Sequence, residues 1–381
     1  MCKPFRTTVS LVGVLLLAVL AGGAPPPVPS PAGSVSPTGS MTLGRSGHTA
    51  TRLGDGRVLI AGGMLRNGEF LADAELYDPA TGKFTALTKM TERRVSHTAT
   101  LLRNGKVLIA RGIEGRFMQE GHWTGRVLAS GELFDPATGT FTPTGSMNVA
   151  RNSQAAVLLT DGKVLILGGS GGGDWRELHA SAEIYDPATG RFTPTGSMAT
   201  PRTPHAVALL NDGRVLVAGG TGPNRTVLAS AEIYDPATAR FSATGNLLTA
   251  RHKHAAALLP DGRVLIVGGS DERDWDGQLA TAEIFDPATR RFTSAGRMAI
   301  VRFKLQSALV RLPDGRVLIA GGGDRAEVFD PKTGSFTPAA GSLEAPWHFS
   351  TATLLTNGRV LIAGGYPNSS EGTNRAWIYQ P

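Results

Sequence analysis

Seven times along the chain a short apolar run ends in glycine, beginning with Val58-Leu59-Ile60-Ala61-Gly62-Gly63. Each run follows an Asp-Gly or Asn-Gly pair, which starts at Asp55, Asn104, Asp161, Asp212, Asp261, Asp314 and Asn357. Such pairs tolerate positive φ at both central positions and are the strongest short hairpin signal. The run itself does not alternate polar and apolar residues, which predicts a strand covered on both faces. A segment such as His48-Thr49-Ala50-Thr51-Arg52-Leu53 precedes the hairpin and reads as strand a, and the apolar run is strand b. Strand c is Ala74-Glu75-Leu76-Tyr77, closed by Asp78-Pro79-Ala80-Thr81-Gly82. There proline presets φ and glycine permits reversal. Strand d is Lys83-Phe84-Thr85.

The second glycines stand at 63, 112, 169, 220, 269, 322 and 365, so the spacing runs 49, 57, 51, 49, 53 and 43 residues. A constant unit with variable loops is the signature of a repeat architecture. Four antiparallel strands per unit, repeated radially, predict an all-β fold: a seven-bladed β-propeller. The seventh unit ends in Trp377-Ile378-Tyr379 and lacks a fourth strand. Gly33-Ser34-Val35-Ser36-Pro37-Thr38-Gly39-Ser40-Met41 matches the fourth-strand sequence Gly139–Met147. An N-terminal strand is therefore expected to complete the last blade and close the ring, which removes unpaired edges.

The Gly-Gly pair, the aromatic-Asp-Pro turn and the period of about fifty residues resemble kelch repeats over residues 33–381. Blade 2 departs locally, with Arg111-Gly112 in place of the glycine pair. The resemblance implies the propeller and leaves function to the loops.

Charge and composition refine this picture. Net charge is +7, but one basic residue per unit follows each hairpin turn (Arg57, Lys106, Lys163, Arg214, Arg263, Arg316, Arg359). These read as a solvated rim, and no aromatic residues interleave with them as a nucleic-acid surface would need. Lys3 and Arg6, the apolar stretch from Val9 to Leu20, and the small residues Ala21-Gly22-Gly23-Ala24 read as a signal peptide over residues 1–24. Residues 25–32 read as a proline-rich linker, followed by the propeller at 33–381. The expected location is periplasmic, cell-surface or secreted, without stable membrane insertion after cleavage. Arginine-rich usage with this export signal suggests a bacterial source. The one cysteine, Cys2, lies inside the signal, so no disulfide is expected.

The a–b and c–d turns share one face of the ring, and the variable b–c and d–a loops share the other. These loops range from Gly323-Asp324-Arg325 to the stretch from Ile113 to Ser130. Variable loops on a rigid scaffold are where binding sits. Three of them carry tryptophan: Trp123, Trp175 and Trp275. An indole there either stacks on a ligand or folds back over its own loop.

Six blades place an arginine at the start of strand a: Arg45, Arg94, Arg151, Arg202, Arg251 and Arg302. A ring of guanidinium groups would suit carboxylate, phosphate or sulfate, and arginines at the matching place contribute in kelch modules that bind acidic peptides. The alternative is internal pairing. Glu75, Glu132, Glu183, Glu232, Glu283 and Glu327 open strand c in the same six blades, and blade 7 replaces both partners, by Trp347 and Trp377. Histidine follows three residues after arginine in four blades (His48, His97, His205, His254) and reads as a strand residue rather than a metal ligand.

Copper-radical oxidases of the galactose oxidase type need a cysteine cross-linked to tyrosine, which the mature chain does not supply. Kelch enzymes that interconvert sialic acid anomers need an acid, a base and an arginine clamp. Glu177, His179, Asp271 and Glu272 could serve such a reaction. No nucleophile motif, phosphate loop or zinc spacing occurs, so no catalytic residue, cofactor or metal is assigned. The expectation is a monomeric, non-catalytic binding module that presents its variable face to an anionic, carbohydrate or protein ligand. A carbohydrate-active enzyme and a structural envelope protein are the alternatives.

Overall fold

A computed structural model describes residues 31–65, 69–117, 123–172, 177–367 and 371–381. The expected signal peptide and all of the linker but its last two residues lie outside the described residues. Seven four-stranded antiparallel sheets follow one another along the chain. Blade 1 comprises strands a to d at Thr49–Arg52, Val58–Ala61, Ala74–Asp78 and Lys83–Ala86. The other blades repeat this order, and the first strands of successive blades stand side by side round the whole circle, blade 7 against blade 1.

Closure is as the pattern predicts. Ser34–Pro37 pairs antiparallel with Ala376–Gln380, in the register Ser34↔Gln380, Val35↔Tyr379, Ser36↔Ile378 and Pro37↔Trp377. Attachment begins slightly earlier than expected, since Ala32 N–H donates to Pro338 C=O at 3.1 Å.

Every strand b is buried along its entire length; Val58–Ala61 is 0–1% exposed. The core lies between blades, in one apolar cluster per blade interface. The cluster joining blades 1 and 2 holds Leu59, Ala61 and Leu76 from one side, and Val107, Ile109 and Phe134 from the other. An aromatic from strand c leans on one from strand d in blades 1 to 6, with centroids 4.7–4.9 Å apart and planes tilted by 45–50°. Tyr185 and Tyr234 reach across to hydroxyls of the preceding blade, Thr144 at 3.0 Å and Thr195 at 2.8 Å.

On the face of uniform turns six of the seven basic rim residues are paired locally, and Arg359 has no ion pair among the described residues. The arginines at 57, 214, 263 and 316 bind the turn aspartates Asp55, Asp212, Asp261 and Asp314, while Lys106 and Lys163 reach Asp135 and Asp186.

Candidate functional site at the channel mouth

The arginines at the start of strand a do not form an open ring, and their assignment as ligand contacts is corrected here. Arg45, Arg94, Arg151, Arg202, Arg251 and Arg302 are all 0% exposed. Each Nη2 meets the strand-c glutamate of its own blade at 2.5–3.1 Å. Each Nη1 donates to the carbonyl of the residue that ends the apolar run, at 2.8–3.1 Å. The second glutamate oxygen accepts a backbone N–H from the segment entering the blade, at 2.7–2.9 Å. Burial lowers the pKa of all six guanidinium groups, and the facing glutamate opposes that shift. The pairs bolt the incoming segment to strand c; Nε of Arg45, Arg94, Arg151 and Arg202 makes no hydrogen bond, yet it is sealed from solvent with the rest of the side chain.

Of the tryptophans, Trp175 lies outside the described residues. Trp123 is described by its backbone only, in a two-residue strand paired with Phe117. Trp275 is 42% exposed, and its chain neighbour Asp274 is bound by Lys253, a residue that lines the central cavity. It does not fold back over its own loop. It leans across the ring, edge-on to Phe303 of blade 6 (4.8 Å, 76°) and to His348 of blade 7 (5.0 Å, 89°). The short b–c connection of blade 6 leaves the space this reach requires.

Two residues after the arginine position, each blade contributes one rim residue: Gly47, Ser96, Ser153, Pro204, Lys253, Lys304 and Phe349. Pro204 apart, these adopt left-handed backbone, with φ of 51° to 61°. Adjacent rim residues are joined by backbone bonds, among them Ser96 N–H to Gly47 C=O, Lys304 N–H to Lys253 C=O and Phe349 N–H to Lys304 C=O. The channel below has a volume of about 350 Å³. Five positions carry small residues, proline or phenylalanine; blades 5 and 6 carry lysine.

The two lysines are treated differently. Lys253 Nζ holds both oxygens of Asp274, at 2.6 and 2.8 Å. Asp274 also faces His252 Nε2 at 3.7 Å. Lys304 has no carboxylate within ion-pair distance among the described residues. Its Nζ donates to Tyr366 Oη at 2.7 Å and lies 3.7 Å from the centre of the Trp275 ring, with Phe303 at 4.7 Å, Tyr366 at 5.2 Å and Phe349 at 5.6 Å. Burial first, and the Lys253 charge second, bring the Lys304 amine down to about 7, against the pull of Asp274. Burial pushes the Tyr366 phenol upward, with Asp274 acting in the same direction. His348 and His252 fall to about 4, chiefly through burial and then through the charges of Lys304 and Lys253 respectively.

The residues considered for catalysis are not gathered in one place: Asp271 shares the blade-5 loop of Asp274 and Trp275. Glu177 and His179 stand in blade 3, where the half-buried imidazole contacts Ala150 C=O at 3.2 Å. Asp271 is engaged by Arg273 at 2.6 Å. Among the described residues no three His, Cys, Asp or Glu side chains could share a metal ion. The Lys304 cluster was missed in the sequence because its members come from three blades. Aligning the rim position across blades would have isolated the two lysines.

A family model described as "Kelch motif" matches residues 44–91, 151–199 and 251–299. No curated protein matches the chain. Among solved structures, the fold superposes on one titled a novel fungal alcohol oxidase with catalytic diversity among the AA5 family, in complex with copper. The TM-score is 0.70 with 20% identity, over 92% of this chain and 76% of that one. At that identity the likeness extends to the fold.

Proposed function

We propose that this seven-bladed propeller with kelch motifs is an exported binding module which takes an acidic carbohydrate at the channel mouth of blades 5 to 7. The observation that carries this reading is Trp275, a partly exposed indole against which Lys304 is fixed, with Lys253 bound to its chain neighbour Asp274. A sugar ring presents C–H faces that stack on an indole, and its carboxylate is drawn to the protonated fraction of Lys304. Edge contacts from Phe303 and His348 hold the indole before any ligand arrives, which lowers the ordering cost of binding. On the face of uniform turns, six of the seven rim cations are already paired with aspartates among the described residues.

Calorimetric titration with uronic-acid oligosaccharides and their neutral counterparts tests the proposal. The parent should bind the acidic series, Trp275→Ala should lose at least about tenfold, equal to about 1.4 kcal/mol, and Arg263→Ala on the opposite face should match the parent. Unchanged affinity in Trp275→Ala, or no preference for the acidic series, would remove it.

A further inference from the structure

Lys304 is an expensive residue for its position. The rim backbone is left-handed there, at φ 59°, a conformation that strains any residue with a Cβ. Blade 1 meets the same requirement with glycine, and nothing in the repeat calls for a long side chain. The amine is nevertheless turned into a basket of Trp275, Phe303, Phe349 and Tyr366, with a phenol on it and a second lysine beside it. The nearby carboxylate, Asp274, is already held by Lys253. An amine desolvated by apolar walls and placed next to another cation is the arrangement that makes lysine a nucleophile.

We infer that Lys304 is a carbonyl-capturing amine, whose Nζ condenses with a small aldehyde to give an imine. The nitrogen lone pair attacks the carbonyl carbon, forming the C–N bond while the carbonyl oxygen gains a proton. The resulting carbinolamine then loses its hydroxyl group as water. The proton shed by nitrogen, and the one taken up by the departing hydroxyl, pass through Tyr366 Oη at 2.7 Å. Amine and aldehyde give imine and water, and no oxidant or reductant takes part. The groups facing Nζ are Lys253, Asp274, Tyr366 and His348. Burial first, and Lys253 after it, bring the amine to about 7 against the pull of Asp274, so about half of it is neutral at pH 7. An ordinary lysine of pKa about 10.4 is neutral in only about one molecule in 2,500.

This goes beyond carbohydrate binding but uses the same mouth, so the two are tested separately: oligosaccharide affinity without reductant, and trapping without oligosaccharide. The full chain is treated with glycolaldehyde and cyanoborohydride from pH 6 to 10, and alkylation is mapped by peptide mass spectrometry. Exposed Lys83 and Lys89 serve as references within the same molecule. Lys304 should be modified at least about tenfold faster than either at pH 7, with its rate levelling off above pH about 7.5 while theirs keeps rising. Tyr366→Phe should slow Lys304 alone. Modification no faster than Lys89, or a rate that climbs to pH 10 alongside the references, overturns the inference. Loss of glycan binding with trapping intact would leave it standing.

Discussion

At the scale of single residues, the strand-a histidines act as spacers between blades. A Cβ on Gly219 would lie 2.7 Å from His254 Cε1, and one on Gly168 only 2.5 Å from His205 Cε1. Each imidazole thus fills the volume that the first glycine of the preceding blade leaves empty. Blade 2 inverts this arrangement. Arg111 replaces the glycine, at φ 71°, and blade 3 offers Gln154 where the histidine would press. Burial holds the spacers neutral: His97 and His205 fall to about 3, with the adjacent arginine charge adding to the effect. A folded-state pKa below the unfolded value of about 6.5 means that the unfolded chain binds more protons between pH 6.5 and 3. Stability is therefore complete at pH 7 and declines as pH falls through that window, by about 2 kcal/mol per histidine at pH 5. Denaturant unfolding at pH 7 and pH 5 checks this. His205→Gln should be less stable than the parent at pH 7 yet lose about 2 kcal/mol less on acidification, and an equal acid loss in both proteins would refute the role.

Among the elements, the Arg–Glu bolts explain why variable loops of such different length leave the blades alike. Each bolt joins the segment entering a blade to strand c, below the point where the b–c loop departs. Blade 7 achieves the same junction with indoles: Trp347 and Trp377 pack 5.6 Å apart, and Trp347 Nε1 donates to Leu343 C=O at 2.6 Å. A buried ion pair can be replaced by apolar residues but not cut in half. Arg202→Ala should thus cost about 3–5 kcal/mol, because Glu232 is left buried without its cation. Arg202→Met combined with Glu232→Leu should recover part of this, with a favourable coupling of about 1–3 kcal/mol in a double-mutant cycle. Additive losses would show that the two side chains act independently. The pairing was legible in the sequence, since blade 7 exchanges both members together. Burial was not, because the same residues in a wider channel would have faced solvent. The turns, strands and closing segment were also readable, each being written seven times or matched to a repeated copy. Trp275 was legible as one of three tryptophans on variable loops, and the rim lysines could be found by aligning the blades; their meeting with Tyr366 could not be read, since it comes only through the curvature of the ring.

For the whole molecule, stability rests on a circuit whose two ends are held by one short strand. Val35 sits in the apolar cluster between blades 6 and 7, with Val310, Leu312, Val328 and Trp377. Tyr379 Oη donates to Ala32 C=O at 2.7 Å. Removing residues 1–39 would strip this strand away and leave Ala376–Gln380 as a naked edge next to a half-covered core. Burying one valine is worth about 1.5–3 kcal/mol, and the strand's hydrogen bonds add about 0.5–1.5 kcal/mol each. The expected loss is several kcal/mol, seen as a fall of roughly 10 °C in Tm. Exposed edges also recruit strands from other chains, so light scattering should detect higher-mass species that the parent does not form at the same concentration. A peptide spanning residues 31–42 supplies the missing strand in trans, and should raise the Tm and reverse the association, while one with Val35→Asp should do neither. If the shortened chain keeps the Tm and mass of the parent, the ring is held by blade packing alone and its closing strand is dispensable.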